Sequence, residues 1–447
     1  MNSAIMRHRW PGLYQDLLKN SQLTPLEITW SDTPEPTLVV DKIQLESGFD
    51  KTREARIQAQ LIPGKTNSAW LYGLGTGVLA AELLQRRNLT ELNIVLLNRQ
   101  LAAHILRAIP LPFLEDPRVN LIDGSTLTRV RGPFAALPGC LRLADEQCAR
   151  LRDMILLELS TPYIQEQHNR KMAGRIRARV KENRQFHQND RPVSELFGQK
   201  EGCHVLVAAA GPTLDLTLAK LAELREKAVL ISVDAALIPL LRAGIAPDYT
   251  VTIDPLPEIC TFFATDLTPV RDKALIYFPS VSPEVLRRWP GRRYVAWSEY
   301  LARLASSRNT SQMQLFSAGS VIHPAVDLAV RMGAATITLF GADFAYPFGR
   351  THATGCSQSE KFCQAHAGHT LINGHGNQVA TTPNLRGYLR DLETYMEQIT
   401  NHRIIWQNAS RDGALIQGCS FLDMDSYLPA TVCPMNNAGQ SRETKSS

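Results

Sequence analysis

The feature that most constrains this chain is a regular alternation of short apolar runs and longer helical segments between residues 202 and 410. The apolar runs have the length of strands buried on both faces. This repetition predicts a parallel sheet covered by helices, which is a Rossmann-like, doubly wound α/β fold. Strands are predicted at residues 204–209, 229–233, 249–253, 274–278, 294–297, 336–340 and 404–407, and helices at 213–226, 235–243, 283–288, 320–332 and 384–399.

A shorter version of the same alternation lies earlier in the chain. Apolar runs at 69–72, 92–97 and 119–122 alternate with helical segments at 78–87 and 101–108, which predicts a smaller Rossmann-like N-terminal α/β domain. We therefore divide the 447 residues into four parts. They are an N-terminal domain at 1–145, a helical basic linker at 146–200, a central domain at 201–426 and a disordered polar tail at 427–447.

The second half of the linker is strongly basic and carries few acids. Such a helix is usually a solvated connection between domains, although it could also meet an anionic partner. The basic residues are Arg170, Lys171, Arg175, Arg177, Arg179, Lys181 and Arg184.

Composition narrows the class of protein. No apolar run approaches the ~20 residues that a membrane span needs, and charged residues interrupt the first 18 positions, so neither a span nor a signal peptide is expected. Eight scattered cysteines then predict reduced thiols, no structural disulfide and a cytoplasmic protein. A net charge of +5 does not indicate a nucleic-acid binder. The oligomeric state stays open.

The first predicted strand of the central domain enters a turn of small residues that opens a helix. Gly211 and Pro212 lead into Thr213 and Asp215. Helix N-termini attract anions through their free N–H groups, and Pro is favoured in the first helical turn. The turn therefore predicts a phosphate or nucleotide site, unless it is an ordinary strand-to-helix turn capped by Thr213. Ala318, Gly319 and Ser320 form a second segment of this kind.

Carboxylates follow several predicted strands. Asp234 and Asp254 end neighbouring strands, and Gly341 and Asp343 end a later one. Ligands of open α/β sheets bind at the carboxyl ends of strands, which predicts one crevice for these residues. Each Asp could instead cap the next helix.

Tyr346 and His352 follow the last of these strands and are candidate catalytic groups, together with Asp343. His352 is the predicted base because imidazole accepts a proton near neutral pH, with His375 as a substitute. The same stretch carries Cys356, Cys363, His366 and His369. Their spacing matches no common zinc ligand set, so we predict a mobile substrate loop and no metal.

In the N-terminal domain, Gly73, Gly75 and Gly77 form a glycine turn after a strand. The next strand ends at Asn98, where dinucleotide binders and methyltransferases place an acid for the ribose. We therefore interpret this turn as tight strand-to-helix packing, with cofactor binding or methyl transfer as the alternative.

Residues 48–418 resemble the bacterial motility accessory factor family. The matching stretches are AAAGPTLD at 208–215, VDAALIPLLRAGIAPDYTVTIDP at 233–255, SAGSVIHPAVDLAVRMGAATITLFGADFAY at 317–346, GRTHA at 349–353, TTPNLRGYLRDLE at 381–393 and ASRDGALIQG at 409–418.

The resemblance implies a glycosyltransferase that attaches a nonulosonic acid to Ser or Thr of flagellin, with a central domain similar to CMP-sugar-using sialyltransferases. The Gly211 turn and the segment 317–320 would then hold the CMP phosphate and ribose of a CMP-nonulosonate donor, and Asp234 and Asp254 would line the crevice. Bacterial sialyltransferases usually have Asn before this turn, whereas this chain has Ala209 and Ala210.

Two other functions stay open. The central pattern is also similar to archaeal 6-hydroxymethylpterin diphosphokinases, which would use ATP and Mg²⁺ with Asp234, Asp254 and Asp343. A degenerate, non-catalytic adaptor for flagellar export is the other.

Overall fold

The structure is a computed structural model that describes residues 2–19, 26–306, 310–357, 369–399 and 404–423. It divides into two compact units, residues 1–162 and 163–447. No helix of the described ranges is long and apolar enough to cross a membrane.

The described part of unit 1 contains a four-stranded parallel sheet with the order β6-β5-β4-β7 and a small antiparallel sheet, β1-β2-β3. Its strands are β1 Ile28–Trp30, β2 Leu38–Val40, β3 Ile43–Gln44, β4 Ser68–Tyr72, β5 Glu91–Leu96, β6 Val119–Asp123 and β7 Phe134–Ala136. Its helices are α1 Asn2–Arg9, α2 Pro11–Lys19, α3 Lys51–Ala59, α4 Val78–Leu84, α5 Arg99–Ala108 and α6 Pro138–Arg142. Helix α7, Ala149–Glu182, crosses the boundary between the units.

Unit 2 contains, within the described ranges, a nine-stranded parallel sheet with the order β18-β17-β14-β9-β10-β11-β12-β13-β8. Its strands are β8 Arg191–Pro192, β9 His204–Ala208, β10 Val229–Val233, β11 Tyr249–Thr252, β12 Ala274–Tyr277, β13 Arg292–Val295, β14 Thr336–Phe340, β17 Ile405–Asn408 and β18 Ser420–Phe421. The antiparallel hairpin β15 His369–Ile372 and β16 Gln378–Thr381 lies outside this sheet.

The helices of unit 2 connect successive strands. They are α8 Arg184–Asn189, α9 Leu214–Arg225, α10 Leu237–Arg242, α11 Pro283–Arg288, α12 Glu299–Leu304, α13 Ile322–Arg331 and α14 Pro383–Gln398. Strand β10 is buried along its whole length and β14 over all but its first residue, as expected of strands covered on both faces. The Rossmann-like, doubly wound α/β fold predicted from the alternation is confirmed.

Strand β13 is shifted relative to its prediction. It was expected at 294–297 but runs over Arg292–Val295. Two arginines can begin this strand because Arg293 forms an ion pair with Asp190 at 2.9 Å, and Arg292 is exposed close to the sheet edge. Charge therefore hid the first half of the strand from an apolar pattern.

The cysteines follow the prediction only in part. Cys140, Cys148, Cys260, Cys356 and Cys419 have free thiols, but Cys203 is disulfide-bonded, so the expectation of no disulfide is wrong at this position. Pairing depends on how closely the fold brings two Cα atoms together, and scattered spacing in the sequence does not show that distance.

Candidate active site at the switch point of the central sheet

The order of the central sheet reverses at β9, because the chain continues outward through β10 to β13 and later returns to place β14 on the other side of β9. Such a switch point opens a crevice at the carboxyl ends of the two strands. The N–H of Ala209 donates to the carbonyl of Phe340 at 2.8 Å, and that of Gly211 donates to Gly341 at 2.9 Å. The turn at Gly211 therefore lies directly at this crevice.

Asp343 holds that turn in place. Its Oδ2 accepts the backbone N–H of Thr213 at 2.9 Å, and its Oδ1 accepts the Thr213 hydroxyl. The hydroxyl of Ser410 lies 2.8 Å from the Thr213 hydroxyl. Asp343 is buried, and this burial raises the pKa of its carboxyl to about 6, although the bonds from Thr213 act in the opposite direction. The geometry gives Asp343 a positioning role beneath the turn.

The same packing explains why residue 211 is a glycine. A Cβ atom at Gly211 would lie 2.5 Å from Oδ2 of Asp343 and 2.5 Å from the carbonyl oxygen of Gly341. Gly341 itself has a φ of +59° and faces the carbonyl of Ala209. The small residues of this turn therefore allow the ends of β9 and β14 to approach each other.

Helix α9 begins just after the turn, and Asp215 in its first turn anchors a later segment. Asp215 forms an ion pair with Arg350 at 2.9 Å and accepts the backbone N–H of Thr354 at 3.0 Å. The N–H of Ala353 donates to the carbonyl of Ala210 at 2.8 Å. These bonds place the backbone of His352 beside the Gly211 turn.

The other two candidates lie in segments that adjoin this one. The backbone N–H of Tyr346 donates to Ala380 in the hairpin at 2.8 Å, and its hydroxyl lies 3.4 Å from that of Thr382. His375, in the turn of the hairpin, lies 3.5 Å from Asp412. The segment of Asp412 also bonds to the end of β14, because the N–H of Ala414 donates to the carbonyl of Asp343 at 2.7 Å.

A second group of predicted residues meets at the ends of β10 and β11. Asp234 is buried, and its carboxylate accepts the Thr252 hydroxyl and the N–H of Ala235, each at 2.8 Å. Burial raises its pKa to about 7, and the nearby Asp254 charge adds to the rise. Asp254 is half-buried and accepts the N–H of Leu256 at 2.8 Å. Asp254 is thus the more accessible carboxylate of the pair.

The segment of Ala318, Gly319 and Ser320 lies beside Tyr388 of helix α14. Gly319 has a φ of +92°, and a Cβ there would lie 3.0 Å from the Tyr388 ring. The pKa of Tyr388 is raised by burial, and the charge of Asp254 adds to the rise. The short segment and helix α14 therefore pack against each other.

The buried ring of His323 holds this segment in place through two hydrogen bonds. Its Nδ1 accepts the N–H of Ala318 at 3.2 Å, while its Nε2 faces the carbonyl of Tyr388 at 2.9 Å. Burial lowers the pKa of His323 to about 4, so the ring is neutral and can accept and donate at once.

The sequence reasoning missed five residues of this arrangement. They are Thr252, His323, Tyr388, Arg350 and Ser410, which position the predicted ones. Thr252, His323 and Arg350 lie within three residues of positions that the sequence analysis selected, whereas Tyr388 and Ser410 lie near none of them. All five fall inside the stretches that carry the family resemblance.

The described ranges contain no group of three or more His, Cys, Asp or Glu side chains that could hold a metal ion. Both Asp234 and Asp343 direct their oxygens to hydroxyl and N–H groups of the chain. Cys363 and His366 of the His- and Cys-rich stretch lie outside the described residues.

The glycine turn of unit 1 is filled by the chain itself. The Glu46 carboxylate accepts the backbone N–H of Thr76 at 2.8 Å and also the Thr76 hydroxyl. Cβ atoms would collide with Glu46 at Gly75 and with Phe113, at 2.6 Å, at Gly77. Asn98 caps helix α5 through the N–H of Leu101 at 2.9 Å. The turn is therefore closely packed against Glu46 and Phe113, as the packing interpretation predicts.

Fold and site together define a Rossmann-like α/β protein with a locked strand-to-helix turn at the switch point of its central sheet. Residues 179–349 match the family model of the 6-hydroxymethylpterin diphosphokinase MptE-like proteins. A solved structure, the MAf glycosyltransferase from Magnetospirillum magneticum AMB-1, is 14% identical with a TM-score of 0.44, covering 97% of this chain and 75% of that one. No curated protein matches the chain. The matched residues include strands β8 to β14, so this part of the central domain is similar to the MptE-like family, as the sequence predicted.

Proposed function

We propose that this protein is a cytoplasmic glycosyltransferase that moves a nonulosonic acid from a CMP-activated donor to a Ser or Thr hydroxyl of flagellin or a similar protein. The observation that carries the proposal is the arrangement at the switch point, where the locked Gly211 turn and the backbone of His352 lie side by side. The turn leads into helix α9, whose dipole favours negative charge at this end, and the adjoining segment brings a candidate base.

In the proposed reaction, the bond between the anomeric carbon and the CMP phosphate oxygen breaks while the acceptor oxygen attacks that carbon. CMP leaves with the electron pair, and His352 takes the proton of the acceptor hydroxyl. A single displacement of this kind inverts the anomeric configuration. The transition state resembles an oxocarbenium ion, so the chain must stabilise the departing phosphate.

The N-termini of helices α9 and α13 would supply that stabilisation, since each helix begins directly after a turn of small residues at the carboxyl edge of the sheet. Tyr346 would donate its hydroxyl to the phosphate. On the nucleoside side, Asp254 and Tyr388 would contact the ribose or base, because Asp254 is the more accessible carboxylate of its pair.

The main competing activity is that of the 6-hydroxymethylpterin diphosphokinases, whose family model matches residues 179–349. That reaction would need Mg²⁺ on Asp234, Asp254 and Asp343. Two of these carboxylates are buried and bonded to the chain, which favours the metal-independent transferase.

Calorimetric binding of CMP, CDP and ATP, with and without Mg²⁺, tests the donor. We expect CMP and CDP to bind without metal, and Asp254→Ala to weaken them at least tenfold. Asp272→Ala is the matched control, since its side chain is 87% exposed and its ion-pair partner is Arg271, which is not a site residue. Mg²⁺-dependent ATP binding would identify the kinase instead, and absence of nucleotide binding would identify an adaptor.

The base is tested by His352→Ala. We expect this variant to bind CMP as the parent does but to lose transfer by about 10²–10⁴-fold, the usual contribution of a general base. Full transfer activity in the variant would remove His352 from this role, and His375→Ala would then be tested in the same way.

A further inference from the structure

A second cavity lies at the start of unit 2, apart from the residues of the candidate active site. It encloses about 470 Å³. It is lined by Arg177, Val180, Lys181, Arg184, His187, Trp297, Leu304, Ala305 and Ser306, which we call the basic cleft.

Three cations of the basic cleft share one side of the helical segment. Arg177, Lys181 and Arg184 are spaced four and three residues apart, so their side chains project from the same face. All three residues are exposed. Like charges at this spacing repel each other and destabilise a helix unless an anion lies between them.

The described residues supply no such anion. No carboxylate lines the basic cleft, and the one bond of its arginines to the opposite wall runs from Nε of Arg177 to the carbonyl of Leu304 at 3.4 Å. Arg179 projects from another face and does have a partner, Glu182, at 2.8 Å. Arg179 is therefore neutralised by an acid on its own helix, in contrast to the three cations of the basic cleft.

The opposite wall is apolar and fixed. Trp297 is 2% exposed, and the His187 ring meets it edge-on with 5.6 Å between ring centroids. The backbone of Trp297 bonds to Met313 at 2.9 Å and to Leu315 at 2.8 Å. An aromatic or aliphatic group would thus find a preformed surface beside Val180 and Leu304.

We propose that the basic cleft binds a small phosphate ester whose organic part is apolar or aromatic. Arg177, Lys181 and Arg184 would hold the phosphate. The guanidinium group of an arginine can form two parallel hydrogen bonds to a phosphate, and the ammonium group of a lysine supplies a point charge. The organic part would lie against Trp297 and His187. The volume falls within the ~300–1,000 Å³ of ordinary small-molecule sites, and a compact cluster of three cations fits one dianionic group better than an extended polyanion.

Calorimetric titration of the full chain with 1-naphthyl phosphate tests this site. We expect binding by the parent protein, and at least tenfold weaker binding of 1-naphthol and of inorganic phosphate, each of which lacks half of the recognised chemistry. The double variant Lys181→Gln, Arg184→Gln should also lose at least tenfold in affinity, which corresponds to about 1.4 kcal/mol.

Arg175→Gln is the matched control. Arg175 is exposed, does not line the cleft and lies two residues before Arg177, or about 200° away around the helix. We expect it to bind as the parent does. Equal affinity in the parent and the double variant, or an equal loss in Arg175→Gln, would overturn the proposal. The substituted side chains are exposed, so unchanged thermal unfolding should accompany the loss.

Discussion

The locked turn makes Gly211→Ala the most informative substitution. A methyl group at this position would lie 2.5 Å from Oδ2 of Asp343 and 2.5 Å from the carbonyl of Gly341. Neither atom can yield easily, because the first accepts the N–H of Thr213 and the second accepts that of Gly211 itself. Overpacking costs about 1–3 kcal/mol, and a lost buried hydrogen bond costs about 1–3 kcal/mol more.

The expected destabilisation is therefore about 2–6 kcal/mol. At roughly 2–4 °C per kcal/mol for a domain of this size, Tm should fall by about 4–24 °C, as measured by circular dichroism. Gly174→Ala is the control, because Gly174 lies within helix α7 with no atom within 4 Å of an added Cβ, and Ala should stabilise the helix slightly. An unchanged Tm in Gly211→Ala, with nucleotide binding lost, would show that the glycine serves ligand approach instead of packing.

Three further outcomes follow from buried or bonded carboxylates. Burial raises the pKa of Asp234 to about 7, so the free energy of unfolding of the wild type should fall as pH rises from about 4 to about 7. In urea unfolding, the stability of Asp234→Asn relative to the wild type should therefore increase by about 1–3 kcal/mol between pH 5 and pH 8. A stability difference that does not change with pH would contradict this. Asp215→Asn weakens the ion pair with Arg350. Its Tm should stay within about 2 °C of the wild-type value because both groups are partly exposed. Amide hydrogen exchange in residues 350–356 should nevertheless become at least tenfold faster. Glu46→Ala deprives the Thr76 N–H of its acceptor and should cost about 1–3 kcal/mol in chemical unfolding, whereas Glu46→Gln should stay close to wild type; equal stability of all three proteins would refute the role of this carboxylate.

The central strands of the large sheet could be predicted from the sequence because they are buried on both faces. Strands such as Val229–Val233 and Thr336–Phe340 are mainly apolar and almost entirely buried, and the aspartate or glycine that follows each strand marks the carboxyl edge. Edge elements were harder to predict. Strand β8 consists of Arg191 and Pro192, and the hairpin β15–β16 carries polar and apolar residues without a strong pattern, because such elements are stabilised by pairing and not by burial.

The site was predictable in its location but not in its internal bonds. Strand ends indicated the crevice, yet the pairing of Asp343 with Thr213 joins residues that are 130 positions apart. Tyr388 and His323 were likewise invisible to residue-type reasoning, since a Tyr or His within an amphipathic helix is usually a packing residue. Such contacts depend on the order of strands, which a single sequence does not determine.

That strand order has a consequence for synthesis of the protein. Strand β9 is complete at residue 208, but its second neighbour, β14, begins only at residue 336. Until then, the apolar edge of β9 has no partner on that side while most of the domain has already left the ribosome. An open edge of this kind invites pairing with other chains. We therefore expect fragments that stop before residue 336 to aggregate, and the nascent chain to depend on chaperones until β14 is inserted.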